Sequence, residues 1–300
     1  AMMRILGIVG VQVCICVPII VFQFCKGKEF FSKEYWGYAL RIGIPIVPHY
    51  LSGIILNQGD RIMIDKMVGK TEVALYGLAY SIGMLVQLFI SGMNSALTPW
   101  MYSKIKKGDI CSMRKVLQLL SVVVVGIAVA LMLISPELVL IFGSPKYREA
   151  VYVIPPVAAS VFFIFIYNIL SMPQFYYEKT QFLMAASMAA AGANVVLNFI
   201  FIRLFGYIAA GYTTLACYML YSVGHYIVSK RILVNEEIQE NLMSPGFLVA
   251  CSVFLIGASI ICNLIFPYRI LRYAILLASA GLVFWKKELL LKTMADIRKK

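Results

Sequence analysis

The chain has 300 residues, 61% of them hydrophobic, with a mean hydropathy of +0.85 and a formal net charge of +13. Soluble domains are about 45–50% apolar, so most of this chain belongs in a membrane. The charge does not indicate nucleic acid: the 27 basic residues are scattered over loops, and no soluble segment is long enough to fold around them.

Hydropathy and length predict nine spanning helices, over residues 5–25, 37–68, 73–99, 116–142, 150–172, 181–203, 207–228, 246–266 and 269–286. No short signal peptide with a cleavage site is visible ahead of the first. The second is the most unusual. From Arg41 to Val68 it would run about 42 Å as one helix, against a hydrocarbon core of about 30 Å. It contains Pro45 and Pro48, each of which removes a backbone donor and favours a bend. On a helical wheel His49, Gly53, Asn57, Asp60 and Arg61 share one side, and Leu51, Ile54, Ile55 and Ile62 take the other. Lipid does not solvate such a polar stripe, so it must face protein or a watery cavity. Two placements suit Asp60 to Lys66: the headgroup layer at the end of the span, or the lining of a central cavity.

The third span carries Gln87, Ser91 and Asn94 on one face and ends at Thr98-Pro99-Trp100. The fifth opens on Pro155-Pro156. The sixth is rich in Ala and Gly, which lets neighbouring backbones approach closely. It places Asn194 and Asn198 one turn apart, for interhelical hydrogen bonds or for substrate. Residues 229–244 form the longest loop, with the composition of a short amphipathic piece. The last two spans, with few polar residues, read as a peripheral pair facing lipid on most sides. If alternate loops share a side, eighteen of the 27 Lys and Arg residues fall on the side of the C-terminal tail. The positive-inside rule then puts the tail in the cytoplasm and residue 1 outside. That arrangement predicts a chain preceded by an odd number of further helices.

Seven cysteines without a CxxC pair read as small buried hydrophobes, and two histidines are too few for a metal site. HExxH, GxSxG and GxxxxGK[ST] are absent from the sequence. No acidic pair occupies a sizeable loop, and no filter-like motif repeats. Polar faces on a polytopic bundle without a catalytic constellation favour a carrier over an enzyme or a channel, with no cofactor.

Three stretches carry a family resemblance. Residues 48–83 contain Asn57-x-x-Asp60-Arg61, followed by Gly69, Glu72, Tyr76 and Ala79-Tyr80-x-x-Gly83. Residues 97–109 read LTPWMYSKIKKGD. Residues 178–214 contain Lys179-Thr180, Asn194-x-x-x-Asn198 and a Gly turn. In this order and spacing they resemble the polysaccharide transport family of lipid-linked oligosaccharide flippases, in the superfamily that also holds the multidrug and toxin extrusion transporters. Arg203 departs from the family, many of whose members have proline beside that turn.

The resemblance implies an all-α polytopic membrane bundle like the second lobe of a fourteen-helix flippase, with five helices preceding this chain. Residues 1–36 would be the last helix of an N-terminal lobe with a cytoplasmic loop. Residues 37–228 would be a six-helix lobe, 229–245 a cytoplasmic linker, and 246–300 two peripheral helices with a basic cytoplasmic tail. It further implies a multi-pass protein of the cytoplasmic membrane that flips undecaprenyl-pyrophosphate-linked oligosaccharides by alternating access. Polysaccharide polymerase and chain-length machinery would be partners, beside membrane lipids. Arg61 first and Arg41 second are the expected diphosphate contacts, because a planar guanidinium can donate two hydrogen bonds. Asn57, Gln87 and Asn94 are expected at sugar hydroxyls. Asp60 either orients Arg61 or binds a coupling proton or sodium ion. His49 either titrates near neutral pH or is a structural hydrogen-bonder. Pro45 and Pro48 are the expected hinge. Two rivals stand beside this reading: an ion-coupled drug or cation exporter on the same fold, which predicts an acidic cavity, and a membrane enzyme or polymerase of polysaccharide assembly, which predicts a large outer loop with paired charges.

Overall fold

The computed structural model describes residues 2–27 and 31–285. Lys28 and the basic tail from Lys286 onward, which entered the topology argument, lie outside the described residues. The described residues are helical without strands. In order they form α1 (Met2–Gly27), α2 (Lys33–Met67), α3 (Lys70–Gly83), α4 (Leu85–Lys107) and α5 (Ile110–Phe142). A 3-10 segment, Pro145–Val153, leads into α6 (Ile154–Tyr176), α7 (Thr180–Phe205), α8 (Ala209–Asn235), α9 (Pro245–Ile265) and α10 (Arg269–Trp285).

All nine expected spans are helical, with one difference: the third is broken at Met84, between α3 and α4. Beside the break α3 comes close to α6. A Cβ built on Gly83 would lie 2.6 Å from Val157 Cγ1 of α6, so only glycine fits where α3 meets α6. Among the described residues seven segments are long and apolar enough to cross a membrane: Leu6–Gly27, Lys33–Met67, Lys70–Lys107, Ile110–Phe142, Pro145–Tyr176, Thr180–Phe205 and Pro245–Ile265. α10 has only 17 residues, and α8 carries tyrosines, threonines and His225 on its buried side. The protein is a polytopic helical membrane bundle.

Two compact units divide the chain, Ala1–Ile44 and Pro45–Lys300, and the division falls at the first proline of α2. In the first unit α1 is exposed throughout its described side chains, and Lys26 Nζ lies 5.9 Å from the Phe22 ring centre.

The second unit is built around α6. Pro155 and Pro156 sit in its first turn, where backbone N–H groups have no helical partner to lose. From Ile154 to Ile166 every residue is buried, as expected of a helix that is apolar all round. α8 packs most extensively on α6, and α3, α4, α5 and α9 cover its other sides. Turns are set locally. Gly108 takes the left-handed conformation (φ 68°) that ends α4, and Asp109 then caps α5 by accepting from Ser112 N at 3.3 Å.

α9 buries only Leu255, Ser259 and Cys262. α10, however, is tied to α5 by an ion pair. Arg272 donates to Glu137 through both Nη1 (2.8 Å) and Nη2 (2.9 Å), and Nη1 also reaches Leu133 O at 2.7 Å. Tyr273 OH adds a bond to Glu137 Oε1 at 2.9 Å. Arg272 is 3% exposed.

Candidate functional site

The wheel reading of α2 holds in three dimensions. Leu51, Ile54, Ile55 and Ile62 are exposed, while His49, Asn57, Asp60 and Arg61 turn toward the rest of the second unit. Asp60 is fully enclosed, whereas Asp65 and Lys66 are exposed.

Asp60 sits in a chamber made by four helices. Its Oδ2 accepts from Tyr76 OH of α3 at 2.5 Å and from Thr214 Oγ1 of α8 at 2.6 Å; its Oδ1 accepts from Asn198 Nδ2 of α7 at 2.6 Å. Asn198 also donates to Asn194 Oδ1 at 3.1 Å and accepts from Thr213 Oγ1. Every contact to the carboxylate is a neutral donor, and no cation shares the chamber among the described residues. Such bonds are roughly twice as strong to an ionised carboxyl as to a neutral one. Asn194 Nδ2 is buried without a partner.

One residue further on, Arg61 points elsewhere. Its guanidinium lies 5.0 Å from the centre of the Tyr80 ring, and Nη1 donates to Gln58 Oε1 at 2.8 Å. Its Nε is shielded and has no acceptor. The side chain lines an open recess of about 630 Å³. The walls are Tyr50, Gly53, Ile54, Asn57 and Gln58 of α2, Tyr80 and Ser81 of α3, Met84, and Tyr167 of α6. Among the described residues, Arg61 is the one charged residue on them. The volume lies within the range of about 300–1,000 Å³ typical of small-ligand sites.

Asn57 separates the two compartments. Its Oδ1 accepts from Tyr80 OH at 2.7 Å and from Tyr218 OH at 3.4 Å, and its Nδ2 donates to Gly53 O at 2.8 Å. It edges the recess, but its oxygen is committed to holding α2, α3 and α8 together. Gln87 and Asn94 do not line the recess; the side-chain oxygens of both are shielded and unpaired on α4. Arg41 belongs to the first unit, where it is exposed. Pro45 and Pro48 lie inside α2.

His49 Nδ1 is 2.5 Å from Ser187 Oγ and 3.0 Å from Tyr221 OH, and those two oxygens are 2.9 Å apart. Ser187 donates its hydrogen to Leu183 O. The hydrogens are all used if His49 Nδ1–H and Tyr221 O–H both donate to Ser187. In that arrangement His49 is a strut joining α2 to α7 and α8.

The sequence reading passed over α8. Thr214, Tyr218, Tyr221, His225 and Ser229 recur at spacings of four, three, four and four, and all are buried. That stripe binds Asp60, Asn57, His49 and Gln174 in turn. Its period was present in the sequence, but tyrosines in an apolar helix read equally well as core.

Residues 4–105 match the family described as polysaccharide biosynthesis protein. The resemblance to the polysaccharide transport family is borne out. Two curated relatives from Haemophilus influenzae (strain ATCC 51907 / DSM 11121 / KW20 / Rd) agree with it. "Lsg locus putative protein 1" is 28% identical over 171 residues, covering 54% of this chain and 41% of that protein. An "uncharacterized membrane protein" is 28% identical over 190 residues, covering 59% and 46%. The chain thus spans less than half the length of these relatives. No solved structure matches it. The matched segment contains α2, α3 and nearly all of α4, and with them Asp60, Arg61 and Tyr80.

Proposed function

We propose that the chain belongs to a transporter that flips lipid-linked oligosaccharide across the cytoplasmic membrane, with the Arg61 recess as the contact for the substrate's diphosphate. The observation that carries this reading is the recess itself: open, lined by polar as well as apolar groups, and charged, among the described residues, by a single arginine whose Nε lacks an acceptor. An arginine in an apolar environment is costly unless paired, and an anionic ligand supplies the missing partner. The drug or cation exporter is disfavoured by the same feature, because the walls hold no acid. The enzyme reading gains no carboxylate or histidine in the recess among the described residues. Association with polymerase and chain-length proteins stays part of the proposal, as implied by the family.

Asp60 fits the coupling role. Asp60 and Arg61 are neighbours on α2 yet face different compartments, so anything that neutralises Asp60 loosens the bonds to Tyr76, Asn198 and Thr214 and shifts the helix that carries Arg61. Pro45 and Pro48 give α2 its flexible point. The test is transport in proteoliposomes. Arg61→Ala should abolish flipping of a lipid-linked oligosaccharide and Arg61→Lys should restore part of it, with insertion unchanged. Full activity in Arg61→Ala would remove the assignment.

A further inference from the structure

The recess has a second wall that the anion contact does not use. Tyr50 of α2 and Tyr167 of α6 line the recess beside Arg61. Tyr167 is held from behind by α8: it stacks on Tyr218 (6.3 Å between centres, 8° between planes), and lies 4.5 Å from the Tyr221 ring and 5.8 Å from that of His225. Those rings are fixed in turn, His225 by Gln174 at 2.8 Å and Tyr221 by Ser187 and His49. The buried network of α8 therefore presents one aromatic ring to the recess in a fixed position. Tyr50 is 65% exposed, so its ring is open to a ligand.

We infer that Tyr167 and Tyr50 form a saccharide-reading wall, which receives the sugar joined to the phosphate held at Arg61. This rests on the anion reading of the recess and names the neutral part of the same ligand. The face of an aromatic ring is negative and attracts positive edges. Cations would meet that face equally well, but Arg61 repels them from this recess. The C–H edge of a pyranose remains, and it is neutral. Gln58 adds donors for sugar hydroxyls, since its Oε1 is occupied by Arg61 and its amide nitrogen is free. A wall backed by packed side chains costs little ordering on binding, which is what selectivity between similar sugars requires.

The experiment compares two probes on the purified protein in nanodiscs: a short-prenyl diphosphate bearing a hexose, and the same diphosphate without it. The wild type should bind the glycosylated probe about tenfold more tightly. Tyr167→Leu and Tyr50→Leu should each erase most of that difference and leave affinity for the bare diphosphate unchanged. Retained binding of the bare probe shows that the variants are folded, and Tyr50, being exposed, tests the wall without disturbing packing. Arg61→Gln should weaken both probes alike. Equal affinity of the wild type for the two probes, or an undiminished sugar preference in both tyrosine variants, overturns the wall alone. Failure of the wild type to bind either probe overturns the anion reading and the wall with it.

Discussion

Asp60 and Glu137 each lie within an apolar helix, and they are stabilised in opposite ways. Glu137 of α5 meets a full counter-charge, the two-pronged Arg272 of α10, with Tyr273 and Leu133 completing the set. Asp60 of α2 meets only neutral donors from Tyr76, Asn198 and Thr214. A complete ion pair is a closed unit: its charge is cancelled and its geometry set. A carboxyl group held only by hydroxyls and an amide has no such partner to cancel a charge. The first site joins helices, and the second is the one for which the coupling role is proposed.

The largest effect should come from opening the closed pair. Arg272→Ala leaves Glu137 without its cation and should destabilise the protein by about 3–5 kcal/mol, read as a fall in thermal midpoint in detergent. Replacing both by methionine should lie within about 1 kcal/mol of wild type or above it, since buried pairs are often matched by apolar residues. A double variant as unstable as Arg272→Ala would contradict this account of the pair. The Asp60 chamber should behave differently. Asp60→Asn should remove ion-dependent transport while changing stability far less than Arg272→Ala; retained ion dependence in a flux assay would end the coupling role. Removing one donor, by Thr214→Val, should cost about 1–3 kcal/mol and shift the pH profile of transport. An unchanged profile would make the chamber purely structural.

A third acid supplies the exposed limit. Asp109, in the turn between α4 and α5, bonds Lys104 Nζ at 2.6 Å and Ser112 N, and these hold its carboxyl down at about 2. Its usual value is 3.8, so the unfolded chain takes up the proton first as pH falls. The contribution to stability is therefore complete above about pH 4 and is lost as pH falls toward 2. A thermal scan from pH 5 to 2 should show this loss in wild type and not in Asp109→Asn. The amplitude should be the smallest of the set, because the pair is partly exposed to solvent.

Much of this protein was legible from sequence alone. Membrane residence, the helical segments and the polar side of α2 follow from hydropathy and a 3.6-residue period, which are properties of local chain and bilayer. Asn57, Asp60 and Arg61 also turn toward protein as their period requires, because three polar residues on one apolar helix demand protein around them. Tertiary structure decided the rest. Asp60 and Arg61 are adjacent in sequence, and only the packing of α3, α7 and α8 encloses one and leaves the other in the recess. Gln87 and Asn94 form a convincing face on α4, yet that face lies away from the recess. Glu137 and Arg272, 135 positions apart, and the tyrosines behind Tyr167 acquire meaning only through their partners. Periodicity tells which side of a helix faces protein, but the identity of the neighbour on that side is a long-range fact, set by how the helices pack.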